Sequence, residues 1–374
     1  MRYYVIAGEP SGDLHGGKLM NEIAARDSKA VFRCTGGDTM AQVAGEGGLK
    51  YHYKQMSFFG LVQVAMNLRT IFRQMDEVKS DILAFKPDVI ILIDYPAFNL
   101  RIAEWARSKG IKVYYYIAPK VWAWKERRVK RLRRFVDRLY TIFPFETEYF
   151  RGHGIEPHFL GNPLVDDIAM RRKSMPERET FIAECGLDSR PIVALLAGSR
   201  VSEIRANLGD MVAIAERMPE YQFVVTAVPW IERKIYDEMI EGKNVRYLCD
   251  RTQQTLHHSV AAVVTSGTAT LETALMGIPE VVLYHIPWLY EKLRPYFLRI
   301  PFISLVNINL GREAVRELVK AKLDIDEAVA ELRAILPGGE RREAMMGDFE
   351  ELRTMIGGAG ASARFAEDIV NSLQ

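Results

Sequence analysis

The chain has 374 residues, 48% of them hydrophobic and 26% charged, with a formal net charge of +2. That length accommodates two domains, each able to bury its own core, and so even a charge balance argues against bulk nucleic-acid binding. Cys34, Cys185 and Cys249 stand far apart, which points to a reducing compartment and away from disulfides or structural zinc. The N-terminal segment lacks the pattern of a secretory signal, and no apolar run approaches the roughly 20 residues that span a bilayer. The expectation is a cytoplasmic protein, or one that rests on a membrane surface.

The first expected strand, Tyr3 to Ala7, leads through Ala7-Gly-Glu-Pro-Ser-Gly-Asp13 into a helix. Gly8 and Gly12 permit a tight turn and close backbone approach to a ligand, while Glu9, Ser11 and Asp13 can direct hydrogen-bonding groups at it. In open parallel sheets ligands bind beyond the carboxyl ends of the strands, and this is such an end. The spacing fits neither GxGxxG nor a Walker loop, which disfavours a dehydrogenase. The alternative is that Ser11 or Asp13 merely caps the helix. Val31 to Cys34 reads as a short strand, and Asp88 to Ile93 as a strand buried on both faces of a parallel sheet.

Asp94 follows that apolar strand directly, in Ile93-Asp-Tyr-Pro. Partial burial there would raise its pKa and make it a proton acceptor near neutral pH; local bonding within the Asp-Tyr-Pro turn is the alternative. Asn99 reads as structural. Lys112 to Ile117 and Arg138 to Ile142 continue the strand series, and Gly161-Asn-Pro-Leu164 interrupts it. We place a domain boundary there, giving domains 1–164 and 165–374.

The second half restarts the pattern with strands at Ile192 to Leu196, Gln222 to Ala227, Val245 to Leu248, Ala261 to Thr265 and Glu280 to Tyr284. After the first of these, Gly198 and Ser199 form a turn and Arg200 offers a forked, permanent cation to a phosphate, unless it is an ordinary surface arginine. Thr265-Ser-Gly-Thr-Ala-Thr-Leu-Glu272 ends another strand and opens a helix whose N-terminal amides attract an anion; Glu272, farther along, suits ribose hydroxyls. A plain N-cap with a solvated Glu272 is the alternative. Together the segments describe a diphosphate-and-ribose site. Asp324-Ile-Asp326 reads as a helix cap rather than a metal site, no HExxH pattern occurs, and His257-His258 read as surface or loop residues. No metal and no cofactor is expected. The last helix, Ala361 to Leu373, could pack on either domain. The fold class expected is α/β, with two Rossmann-like doubly wound domains facing a cleft.

The chain resembles the lipid-A-disaccharide synthase family, inverting glycosyltransferases of the two-domain GT-B architecture. The resemblance runs nearly end to end, through Ala7–Asp13, Ile93-Asp-Tyr-Pro with Phe98-Asn99, and Pro119-Lys-Val-Trp-Ala-Trp124. It continues through Phe143-Pro-Phe-Glu146, Gly198-Ser-Arg200, Ser266–Glu272, Ser304-Leu-Val-Asn307, Gly311-Arg-Glu313 and Glu317-Leu318. It implies a UDP-2,3-diacylglucosamine donor, a 2,3-diacylglucosamine 1-phosphate acceptor, and a β-1,6-linked disaccharide phosphate with UDP as products. Asp94 matches the family's essential aspartate, the base for the acceptor 6-hydroxyl, and Glu9 and Ser11 match its N-terminal active-site loop. Gly198, Ser199, Arg200, Ser266, Gly267, Thr268, Glu272, Asn307, Arg312 and Glu317 match the region that holds UDP. Ala97, Gln63, Lys120, Asn162 and Lys320 depart from common family residues, which puts acceptor contacts and acyl preference in question while sparing the reaction core.

Lipid substrates call for an apolar landing site. Met56–Met66, with Leu68, Ile71 and Phe72 beyond it, supplies Phe58, Phe59, Leu61, Val62 and Met66 as candidates for acyl or membrane contact, with plain helix packing as the alternative. Trp288 to Phe302 is a second candidate. Lys125 to Arg134 packs seven cations into ten residues beside an apolar stripe of Val129, Leu132 and Val136. Its charges form a solvated face, or one that holds anionic headgroups or the acceptor phosphate. The partners implied are therefore the two lipid substrates, the inner face of the cytoplasmic membrane, and a second copy through exchanged C-terminal segments, with Arg312 and Glu317 serving either subunit. The rival readings are another UDP-sugar enzyme, an epimerase or a peptidoglycan glucosaminyltransferase, and a non-catalytic nucleotide- or lipid-binding protein.

Overall fold

Apolar runs such as Val89-Ile-Ile-Leu-Ile93 require cover on both faces of a sheet. In the computed structural model, which describes residues 1–56, 68–121, 127–286 and 302–374, they form two all-parallel sheets. The chain divides into two units: Met1–Asp166 together with Ile356–Gln374, and Asp167–Met355.

The first unit contains β1 (Arg2–Ala7), β2 (Val31–Gly36), β3 (Leu49–His52), β4 (Val89–Ile93), β5 (Lys112–Tyr116), β6 (Arg138–Thr141) and β7 (Pro157–Phe159), in the order β3-β2-β1-β4-β5-β6-β7. Alternate residues of each strand feed opposite faces. Tyr4, Ile6, Ile90, Leu92 and Tyr115 pack with Val78 and Ile82 of the helix Leu68–Phe85 and with Ile102 of Pro96–Ser108. Tyr3, Val5, Val89, Ile91, Tyr114 and Tyr116 pack with Leu19 and Ile23 of Pro10–Arg26 and with Phe365 and Ile369 of the last helix, Ala361–Asn371. That last helix belongs to the first sheet for identifiable reasons. The Phe365 ring lies 5.2 Å from that of Tyr116 and 5.5 Å from that of Tyr140, and burying it contributes about 2–3 kcal/mol. Asp166 accepts from the amides of Gly360, Ala361 and Ser362, so the residue at the chain crossing caps the returning helix.

The second unit contains β8 (Ile192–Leu196), β9 (Gln222–Ala227), β10 (Val245–Cys249), β11 (Ser259–Thr265), β12 (Glu280–His285) and β13 (Arg316–Lys320), in the order β10-β9-β8-β11-β12-β13. β3, β7 and β13 carry no continuous apolar run and escape a reading by hydrophobicity. All three are edge strands, half solvated, so their residues need not be apolar. In both sheets the strand order reverses direction beside the first strand, and this places the crevice for a ligand at the carboxyl ends of β1 and β4, and of β8 and β11.

Candidate functional site

The first crevice brings two carboxylates, Glu9 and Asp94, to the ends of neighbouring strands. Glu9 follows β1 and is the N-cap of the helix Pro10–Arg26, with extended backbone and no side-chain bond to the helix. Asp94 follows β4. Both Asp94 (φ 41°) and Tyr95 (φ 46°) are left-handed, which costs a non-glycine residue roughly 1–3 kcal/mol each and persists only where the surroundings enforce it. The enforcing groups are buried. The Tyr115 hydroxyl, on the neighbouring strand β5, donates to the Asp94 carbonyl, and Asn99 Nδ2 donates to the same carbonyl at 2.8 Å and to that of Ile93 at 3.1 Å. Burial and then the neighbouring Glu9 carboxylate push the Asp94 carboxyl up to about 6, against the pull of Lys120, its own turn amide and Arg128. Asp94 is thus a carboxylate whose basicity is matched to a neutral working pH.

The glycine of this loop serves the protein itself. A Cβ on Gly8 would lie 2.3 Å from the Tyr95 ring, so the loop after β1 and the turn after β4 interlock only without a side chain there. Ser11 is exposed in the first helical turn. Asp13 caps, but not its own helix: its carboxylate accepts from the amides of Gly37 (2.6 Å), Thr39 (3.0 Å) and Met40 (3.0 Å), at the start of the helix Asp38–Ala44. Sequence spacing offers no sign of that tertiary partner.

The second crevice is built from donors. Arg200 is the exposed N-cap of Val201–Glu216, pairing with Glu203 at 2.7 Å, and Gly198 before it takes a left-handed φ of 116°. After β11, Ser266 Oγ donates to the Ile303 carbonyl at 2.9 Å. Gly267 is the N-cap of Thr268–Met276 without a side-chain cap, and both Gly267 and Thr268 are exposed, so the first helical amides face outward. Glu272 lies one turn on, with its carboxyl raised by burial and held by the side-chain amide of Gln253. Gln253, from the helix Thr252–His257, was not evident from sequence, because only the fold brings it to Glu272.

Asn307 and Glu317 are fully engaged within the unit. Asn307 Nδ2 donates to Val315 O and Glu317 Oε1, and its Oδ1 accepts from the amides of Ala314 and Val315. Glu317 accepts from the amides of Ile303 and Ser304, at the start of Leu305–Leu310. Arg312 pairs with Asp348 at 2.6 Å and with Glu351 on the helix Arg342–Ile356. Asp324 is the N-cap of Ile325–Ile335, bonded to the amides of Asp326 and Glu327. His258 is not a free loop residue: it stacks on Phe181 at 4.9 Å and its Nε2 meets the Pro176 carbonyl.

The helix Arg127–Phe135 turns Val129 and Leu132 into the core and leaves Arg127, Lys130, Arg133 and Arg134 exposed. Arg127, Lys130 and Arg133 line a concavity of about 520 Å³ closed by Gly152, His153 and Gly154. Phe58, Phe59, Leu61, Val62, Met66 and Gln63, the Trp-Ala-Trp run, Lys125 and most of Trp288–Phe302 lie outside the described residues.

Two Rossmann-like units in one chain, each with polar groups at its switch point, have the make-up of the GT-B class of α/β proteins. Solved structures agree on the fold. A UDP-GlcNAc 2-epimerase from Neisseria meningitidis bound to UDP-GlcNAc superposes with a TM-score of 0.70 at 13% identity, covering 99% of this chain and 100% of that one. A sucrose-phosphate synthase from Thermosynechococcus elongatus gives 0.62 at 13% identity, covering 100% and 99%. The chain belongs to the lipid-A-disaccharide synthetase family, whose model matches residues 3–361. It is 35% identical to the lipid-A-disaccharide synthase of Myxococcus xanthus over 379 residues, covering 100% of this chain and 97% of that protein. The Syntrophus aciditrophicus protein of the same name is also 35% identical, over 97% of this chain and 95% of its own length.

Proposed function

We propose that the protein is the glycosyltransferase that forms the lipid A disaccharide, joining UDP-2,3-diacylglucosamine to 2,3-diacylglucosamine 1-phosphate and releasing UDP. Family membership over nearly the whole chain supports the reaction. The observation that carries the mechanism is the Asp94 carboxyl, poised at about 6 on a buttressed turn at the end of β4. Asp94 takes the proton of the acceptor 6-hydroxyl as that oxygen forms its bond to the donor's anomeric carbon. The bond from that carbon to the diphosphate breaks on the opposite side, so configuration inverts and the product is β-1,6-linked. A base so placed contributes on the order of 10²- to 10⁴-fold.

The departing UDP carries the growing negative charge. Arg200 and the outward amides of the helix Thr268–Met276 meet it as fixed donors, and Glu272, steadied by Gln253, receives ribose hydroxyls. Ser266 shapes the same loop. Asn307 and Glu317 act one step back, by holding residues 302–317 in place for that loop. Glu9 tunes Asp94 by its charge, and Ser11 opens toward the acceptor.

The acceptor's phosphate and anionic headgroups meet the cationic face of Arg127–Phe135, which supports attachment to a membrane surface; no helix among the described residues is long and apolar enough to cross one. A homodimer in which Arg312 serves the partner's site requires it first to leave Asp348 and Glu351. The deciding experiment incubates purified protein with acylated UDP-glucosamine and acylated glucosamine 1-phosphate and weighs the products. A disaccharide phosphate plus UDP supports the reading; UDP released without disaccharide, or a donor epimer, refutes it. Flotation with liposomes of anionic phospholipid at low salt checks attachment: removing the charges of Arg127, Lys130, Arg133 and Arg134 is expected to release the protein.

A further inference from the structure

The turn that offers Arg200 to a diphosphate does not stand alone. Glu203, in the first turn of the following helix, accepts from the Ser199 amide at 3.0 Å through one oxygen and from Arg200 Nη1 at 2.7 Å through the other. On the opposite side, the indole N–H of Trp230, in the loop after β9, donates to the Ser199 carbonyl at 3.1 Å. Both backbone groups of Ser199 are therefore held by side chains from separate elements. The arrangement depends on Gly198, where a Cβ would lie 2.6 Å from the Cβ of Glu203. Trp230 is otherwise 65% exposed, an unusual position for an indole that does nothing else.

We propose that Glu203 and Trp230 are positioning residues that clamp the Gly198–Arg200 turn in the form that receives a diphosphate, an inference that rests on the nucleotide reading above. Guanidinium carries five donors in a planar fork, and Glu203 engages Nη1, leaving the Nε and Nη2 edge for phosphate oxygens. An exposed arginine is among the most costly side chains to order, so one already held loses less on binding. The opposing effect is repulsion between the Glu203 carboxylate and the diphosphate. Water screens it at this exposed site, and the preordering wins.

The test is calorimetric titration of the full-length protein with UDP and, separately, with uridine, for the wild type, Glu203→Gln and Trp230→Phe. Glu203→Gln keeps an acceptor for the Ser199 amide and loses the carboxylate charge that pairs with Arg200. It is expected to weaken UDP about tenfold and leave uridine unchanged, since a charge-assisted bond is at stake only where a phosphate binds. Trp230→Phe keeps an aromatic ring and loses the donor; about threefold weakening, again of UDP alone, is expected. UDP bound as tightly or more tightly by Glu203→Gln would make the carboxylate a bystander or a competitor, and overturn the clamp. Equal weakening of UDP and uridine would mean general loosening and overturn it too. A wild type that binds neither ligand would remove the nucleotide reading itself, and the clamp with it.

Discussion

At the switch point of the first sheet, β1 and β4 end in Glu9 and Asp94; at that of the second, β8 and β11 end in the Arg200 turn and an uncapped helix N-terminus. The strand order around the two points is the same, yet a carboxylate raised by burial stands at one and an exposed guanidinium with outward helix amides at the other. The supporting chemistry differs accordingly. Asp94 is held on strained backbone by buried hydroxyl and amide donors, and its proton affinity is raised by burial and a like charge. Arg200 is exposed and held by an ion pair with Glu203. On the proposed reading, one topology serves a proton acceptor and an anion holder: the acceptor needs removal from water, whereas the holder needs access to it.

The comparison breaks if Asp94 is not the acceptor. Asp94→Asn is expected to lower kcat by on the order of 10²- to 10⁴-fold, read by steady-state kinetics with both lipid substrates. The same substitution bears on stability with a definite sign. The folded carboxyl sits near 6 against an unfolded value near 3.8, so its cost is absent below the lower value and complete above the higher. Asp94→Asn is therefore expected to stabilise the protein by about 3 kcal/mol at pH 8 and by little at pH 4, read by thermal melts. A variant that loses activity and stability together would point to Asp94 as a structural turn residue.

The role of the buttress is smaller. Tyr115→Phe removes one of two side-chain donors to the Asp94 carbonyl, and about a tenfold fall in kcat with KM little changed is expected. Unaltered kcat would show that Asn99 alone holds the strained turn. The smallest effect concerns Glu9. Its charge raises the Asp94 pKa, so Glu9→Gln is expected to move the acid limb of the kcat/KM profile from near pH 6 to lower pH. A limb that stays in place would leave burial as the whole cause.

Much of the site was legible because its residues follow strands whose apolar runs announce themselves. Asp94 stands out as a charge directly after Val-Ile-Ile-Leu-Ile, and Gly198-Ser-Arg200 and Ser266-Gly-Thr268 as small residues after similar runs. Local pattern carried these features, together with the capping role of Asp324 and the alternation of strand and helix. The partners of those residues were out of reach. Asp13 looked like part of a ligand loop or a cap of its own helix and instead caps a neighbouring helix, Gly8 is empty for the sake of the Tyr95 ring, and Asn307 and Glu317 bond to each other and to the backbone of Ile303, Ser304, Ala314 and Val315.

The amino-acid order alone determined which segments become buried strands, where each turns, and which chemical groups stand at the turns, because hydrophobic period and glycine placement act over a few residues. Tertiary structure decided the rest: the order of strands in each sheet, the return of Ala361–Asn371 to the first unit, the polar edge strands, and the proton affinity of Asp94. Those depend on burial and on groups tens to hundreds of residues away, and water exclusion is a property of the packed whole.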